Sequence, residues 1–122
     1  MWEIEPTTTW QKDEKYYGKK HPNELAAILN NVRRYFRLIV AAKNSKAVQA
    51  GFLHHEPMGI VAVDQKAGGP NLQETRGYTF ADDEKKILYL ITIGNKSEQP
   101  SDIELSKQFV TSLTSQKIDH KE

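Results

Sequence analysis

The stretch that most limits the fold is residues 22–40, where Leu25, Ile28, Leu29, Val32, Tyr35, Phe36, Ile39 and Val40 recur at three- and four-residue spacing. Side chains so spaced line one face of an α-helix, and a face this wide has to be buried against something. Pro22 sets the start, because proline is tolerated at the first helical position. Arg33, Arg34 and Arg37 lie mostly off the stripe and are expected to be exposed. What the helix packs on comes later in the chain, where the period changes after Gly51. Gly59 to Gln65 is β-branched and apolar, Thr75 to Ala81 alternates around Arg76, Tyr78 and Phe80, and Ile87 to Ile93 is the most β-like run of all. Asp82-Asp83-Glu84 supplies a polar turn, so the last two runs should form an antiparallel hairpin with Ile87 to Ile93 as a central strand.

The ends complete the pattern. Trp2 and Ile4 alternate with Glu3 and Glu5 as a short strand that Pro6 terminates, and Thr7, Thr8 and Thr9 offer caps for a helix over about Thr9 to Lys19. A Ser101-x-x-Glu104 capping box predicts a last helix, with Ile103, Phe109, Val110 and Leu113 on one face. Strand, two helices, three strands and a helix give an α+β layer, with helices on one face of a mostly antiparallel sheet and the other face open. Ala67-Gly68-Gly69-Pro70 reads as a turn. One domain over 1–115 is expected, followed by a polar tail, 116–122.

Composition narrows the chemistry. Apolar residues make up 38% and charged residues 27%, which suits a globular chain. No apolar run approaches the ~20 residues that span a bilayer, and Met1-Trp2-Glu3-Ile4-Glu5 has no basic stretch with an apolar block, so a cytoplasmic protein is expected. With no cysteine, disulfides, thiolate metal sites and thiol nucleophiles are excluded. Net charge is only +1, yet Lys and Arg outnumber Asp and Glu by nine to three between Lys12 and Lys46. A basic helical region can contact phosphates or an acidic partner, and a solvated helix face can look the same.

The order of elements, with Leu72-Gln73-Glu74-Thr75-Arg76, Ile87-Leu88-Tyr89-Leu90-Ile91 and Gly94-Asn95-Lys96 in place, resembles the RelE/HigB-like toxins of bacterial toxin-antitoxin systems. Gly51-Phe52-Leu53-His54, Gly59-Ile60-Val61-Ala62-Val63-Asp64-Gln65-Lys66 and Ser97-Glu98-Gln99-Pro100-Ser101-Asp102-Ile103 resemble one branch of that superfamily. The resemblance implies a RelE-like fold and a ribosome-dependent mRNA endonuclease that inhibits translation. Its implied partners are the ribosome, mRNA and a cognate antitoxin through which the pair can bind operator DNA. It also implies basic residues at strand ends, matched here by Lys66, Arg76 and Lys96. The chain departs from the family in lacking a pair of arginines on neighbouring strands, with Lys85 and Lys86 as possible substitutes.

Cleaving RNA through its own 2′-hydroxyl needs a proton acceptor, neutralisation of the phosphorane and a proton for the leaving 5′-oxygen. No metal or cofactor is called for. Arg76 would clamp the phosphate, since a guanidinium donates two parallel hydrogen bonds and stays charged, while Lys66 and Lys96 share proton and charge work. The plain alternative pairs Arg76 with Glu74 or Asp64 and leaves both lysines solvated. His54-His55-Glu56 cannot surround a metal, because adjacent side chains in extended chain point to opposite faces. Either histidine can still face the cleft as a general acid, or make an ordinary loop hydrogen bond. Tyr78 shares the sheet face of Arg76 and either stacks on a base or packs in the core; Trp10 and Tyr89 are expected in the core and His21 in a structural role. Two other functions stay open: a non-enzymatic toxin that binds DNA gyrase, and an inactive interaction module.

Overall fold

The computed structural model describes residues 1–121, with side chains through Ser115. The chain is α+β. In order it forms β1 (Glu3–Pro6), α1 (Thr8–Lys20), α2 (Pro22–Ala41), β2 (Leu53–His55), β3 (Ile60–Asp64), β4 (Thr75–Asp82), β5 (Ile87–Asn95) and α3 (Gln99–Lys121), with single 3-10 turns at Ser45–Ala47, Pro57–Gly59 and Lys96–Glu98. The sheet order is β1-β5-β4-β3-β2, so β1 and β2 form the two edges. All neighbours are antiparallel except β1, which lies parallel to β5.

Thr7 shows how the first helix is fixed to the sheet. Its hydroxyl accepts from Trp10 N at 3.1 Å, capping α1, and donates to Ile91 O at 2.8 Å on β5. Trp10, Ile28, Val32, Tyr35 and Ile39 then pack with Val61, Val63, Leu88, Leu90 and Ile93 in one core on one sheet face. A close approach occurs at Gly77, where a Cβ would lie 2.8 Å from the Trp10 ring and 3.1 Å from Ile28, so the helices sit directly on the backbone of β4. Val40 does not join this core. It is 55% exposed, because the stripe drifts off the sheet beyond Ile39, as α2 ends.

The second sheet face is not left open as expected. Ile60, Ala62 and Tyr78 are buried there with Val110, and Ile103, Phe109 and Phe80 pack against them, so α3 crosses that face and covers its middle. Tyr89 stacks edge-on against Phe109 at 5.3 Å between ring centroids. A register shift after Tyr78, which pairs with Thr92 while Thr79 pairs with Leu90, leaves Ile91 without a partner and re-aims the strand. The centre of the sheet is β4, with β5 one place to the side.

Two further expectations shift. β2 has no counterpart in the strand pattern, because Leu53-His54-His55 contains no β-branched residue; its pairing with β3 makes it a strand. The capping box is formed by Asn95 and Glu98, four backbone and side-chain bonds of which close the turn before α3, and not by Ser101 and Glu104. The helix therefore begins at Gln99, ahead of the Ser101 position, and Ser101 Oγ donates to Glu98 O at 2.9 Å. It runs on without a break at 115, while the side chains of 116–122, where the polar tail was expected, lie outside the described residues.

Candidate functional site

Asp64 and Arg76 are register partners where β3 ends and β4 begins, and β2 sets His54 opposite Ala62. Because side chains alternate along a strand, His54, Asp64 and Arg76 share the face that buries Ala62 and Tyr78. They lie past the part that α3 covers, and with Gln65, Lys66, Leu72 and Glu74 they line an open cleft of about 360 Å³.

Asp64 organises this cleft. Its side chain is 4% exposed, and Oδ2 lies 2.7 Å from His54 Nε2 and 3.5 Å from Lys66 Nζ. Oδ1 accepts the backbone N–H of Lys66 at 2.8 Å, and Lys66 Nζ also donates to Gly51 O at 3.0 Å. Behind the cleft, Asn31 on α2 donates through Nδ2 to both Asp64 O and Lys66 O, each at 2.9 Å. The turn carrying Lys66 is thus tied to a helix on the other side of the sheet. An ionised carboxylate can only accept. Facing one, His54 donates through Nε2, which turns Nδ1 away from Asp64.

Arg76 is half-hidden, its side chain 18% exposed, with one terminal nitrogen 3.4 Å from Glu74 Oε1 and the other 3.8 Å from Glu56 Oε2. Glu74 is in turn held by Gln99 Nε2 at 3.2 Å, from the first turn of α3. Both ion pairs are long, and the Nε of Arg76 is buried without a hydrogen-bond partner among the described residues. Glu56, Asp64 and Glu74 outnumber the two permanent cations, Lys66 and Arg76, so the cleft is not strongly basic.

One step further under α3 lie two more buried polar atoms without hydrogen-bond partners among the described residues, Tyr78 OH and Asp102 Oδ2. Burial pushes the Tyr78 phenol up to about 12, with Asp102 adding to the shift and the Arg76 guanidinium partly offsetting it, so the hydroxyl remains protonated at neutral pH. Asp102 rests on Gly94, where a Cβ would collide with its carboxylate. Burial, then the charges of Glu98 and Asp13, push its carboxyl up to about 7.

Of the residues singled out in the sequence, Lys66, Arg76 and His54 come together in the cleft. Tyr78 lies wholly buried beside it, in the core position that was one of its two expectations. Lys96 is exposed in the turn after β5 and forms no ion pair among the described residues. Lys85 lies at the β4–β5 hairpin, roughly 20 Å along the strand from Arg76 at the usual rise per residue, beside a separate depression with Tyr89 and Phe109. Trp10 and Tyr89 are core residues, and His21 packs on the Tyr17 ring. Arg76 does pair with Glu74, the plainer of its two expectations. Sequence reasoning passed over Asn31 and gave Asp64 no role beyond a partner for Arg76. Both carried a signal, since Asp64 is the one acid in the apolar run Gly59 to Gln65 and Asn31 falls within the helical segment of the apolar stripe. No cluster of three or more metal-ligating side chains occurs among the described residues. Compared with protein-family models, with curated proteins and with solved structures, the chain matches none of them.

Proposed function

We propose that the protein is the toxin of a bacterial toxin-antitoxin pair, a RelE-like, metal-independent endoribonuclease that cuts mRNA at the ribosome and so inhibits translation. The observation that carries the reading is the pair of His54 and Asp64, 2.7 Å apart, in one open cleft with Arg76 and Lys66. Oriented by Asp64, the His54 ring accepts the 2′-hydroxyl proton at Nδ1 as the 2′-oxygen attacks phosphorus. Arg76 neutralises the phosphorane, and its long contacts to Glu74 and Glu56 are weak enough for a phosphate to displace. As the bond to the 5′-oxygen breaks, the Lys66 ammonium supplies that oxygen with a proton, leaving a cyclic phosphate. Lys96 and Lys85 fall outside this scheme and serve at most as remote phosphate contacts. The proposed partners are the ribosome with its mRNA and a neutralising antitoxin, which would bring the pair to operator DNA. The proposed location is the cytoplasm; no helix among the described residues is long and apolar enough to cross a membrane.

Three carboxylates against two cleft cations favour a second reading, a non-enzymatic toxin that binds DNA gyrase or an inactive interaction module. Inducing the wild type, Arg76→Ala and His54→Ala in a bacterial host, and mapping mRNA 5′ ends with and without active translation, separates the two. Translation-dependent cuts that vanish in both folded variants are expected. Growth arrest without cuts would overturn the nuclease reading and direct the search to gyrase.

A further inference from the structure

Residues 25–55 contain no Asp or Glu and five Lys or Arg. Arg33, Arg34, Arg37, Lys43 and Lys46 are all exposed, while Asp83, reaching over from the hairpin, binds Ser45 N and Oγ at 3.1 and 2.7 Å. Within this surface Arg34 is not a free side chain. Its guanidinium lies 4.5 Å over the Phe52 ring, and it donates to Asn31 Oδ1 at 3.1 Å. The same Asn31 donates to Lys66 O, and Lys66 Nζ donates to the carbonyl of Gly51, the residue before Phe52. Arg34, Asn31, Lys66 and Gly51-Phe52 therefore close a ring of contacts at the β2 edge. A cation from α2 and one from the turn after β3 are thus both held against one chain segment.

Arg37 is one turn along α2 from Arg34, where side chains three apart are neighbours. The two arginines and Leu38 line a shallow depression of about 200 Å³. We infer that a single-stranded RNA leaves the cleft across this edge, its sugar-phosphate backbone lying on Lys66, Arg34 and Arg37 in that order. The inference rests on the nuclease reading and names the path of its substrate. A planar guanidinium already immobilised on an aromatic ring loses little freedom on meeting a phosphate. The depression has one apolar side chain and no deep pocket, so it offers a backbone track and no anchor for the hydrophobic residues of a protein helix.

The test is a fluorescence-anisotropy titration with a labelled, pyrimidine-rich single-stranded RNA whose 2′-positions are methylated to block cleavage. Wild type is compared with Arg34→Gln/Arg37→Gln, with Arg37→Gln alone, which leaves the Phe52 contact in place, and with Lys15→Gln/Lys19→Gln, which removes the same charge from α1. Losing two phosphate contacts should weaken binding about tenfold at low salt and lower the slope of log affinity against log salt by about 1.4, at ~0.7 per contact on single strands. Arg37→Gln alone should show about half that slope change, and the α1 variant little. Equal losses in both double variants, or none in the Arg34/Arg37 variant, would overturn the track; in the latter case the face fits an acidic protein instead. Absence of binding by the wild type overturns it too. Binding that follows the predicted order in a protein that never cuts unmodified RNA keeps the track and overturns only the nuclease.

Discussion

At Asp64 a single carboxylate meets the His54 ring, the Lys66 backbone and the Lys66 ammonium. Asp64→Asn puts a donor where two of those partners also donate, so the buried side chain itself loses the match to one of them. We expect a loss of stability of about 1–3 kcal/mol in a urea titration, in the range for stranding a buried polar group, together with loss of the RNA cleavage proposed above. His54→Ala should lose cleavage while keeping its urea midpoint far closer to wild type. Asp102 gives the opposite sign. Its carboxyl is raised to about 7 in the folded protein by burial, with Glu98 and Asp13 contributing, from its ordinary value of 3.8, and Tyr17 and Tyr78 also face it. Between those two values the folded chain holds a proton that the unfolded chain has released. The contribution to stability is therefore full below about pH 4 and falls as pH rises through 7. Asp102→Asn should abolish this slope and leave the variant more stable than wild type at pH 8 by on the order of 2 kcal/mol, with near equality at pH 4, as read from melting temperatures across pH. Arg76, Lys66 and His54 were legible as chemistry because their side chains announce it. Asp64 and Asn31 were not, because their role comes from being buried among apolar neighbours, which only the packed chain reveals.

Elements were easier to read than their contacts. The period of α2, the β-branched runs of β3 and β5 and the Asp82 turn are local properties, and each formed where its residues favoured it. The turn is closed by Asp82 Oδ1 accepting from the N–H groups of Glu84 and Lys85, both at 3.1 Å. β2 was illegible because nothing within its three residues favours extended structure; β3 lends it the hydrogen bonds. The placement of α3 on the second sheet face was hidden as well, since Ile103, Phe109 and Val110 state that a face is apolar and not which surface it meets. The seating of α1 and α2 on β4 depends on the missing side chain at Gly77. Gly77→Ala should cost about 1–3 kcal/mol, the usual penalty for overpacking, since Trp10 and Ile28 are both too close to yield easily. A denaturant midpoint unchanged by that substitution would mean the helical layer slides freely over the sheet.

Over the whole molecule the sheet is closed by its most distant parts. β1 pairs with β5 across more than eighty residues, and Thr7 adds a bond to Ile91 O that spans 84 positions. Such pairing charges its loop entropy before any contact is rewarded. Refolding should therefore run in milliseconds to seconds, well short of the microsecond range of helical bundles, and stopped-flow fluorescence of Trp10 and Trp2 would report it. A different consequence follows from where the sheet stops. One edge is β1, four exposed residues with two glutamates and a terminal proline; the other is β2, only three residues long and carrying two histidines. Neither offers a second chain a long row of unpaired amides to copy. The sheet thus has borders that resist recruiting further copies of the chain into aggregates.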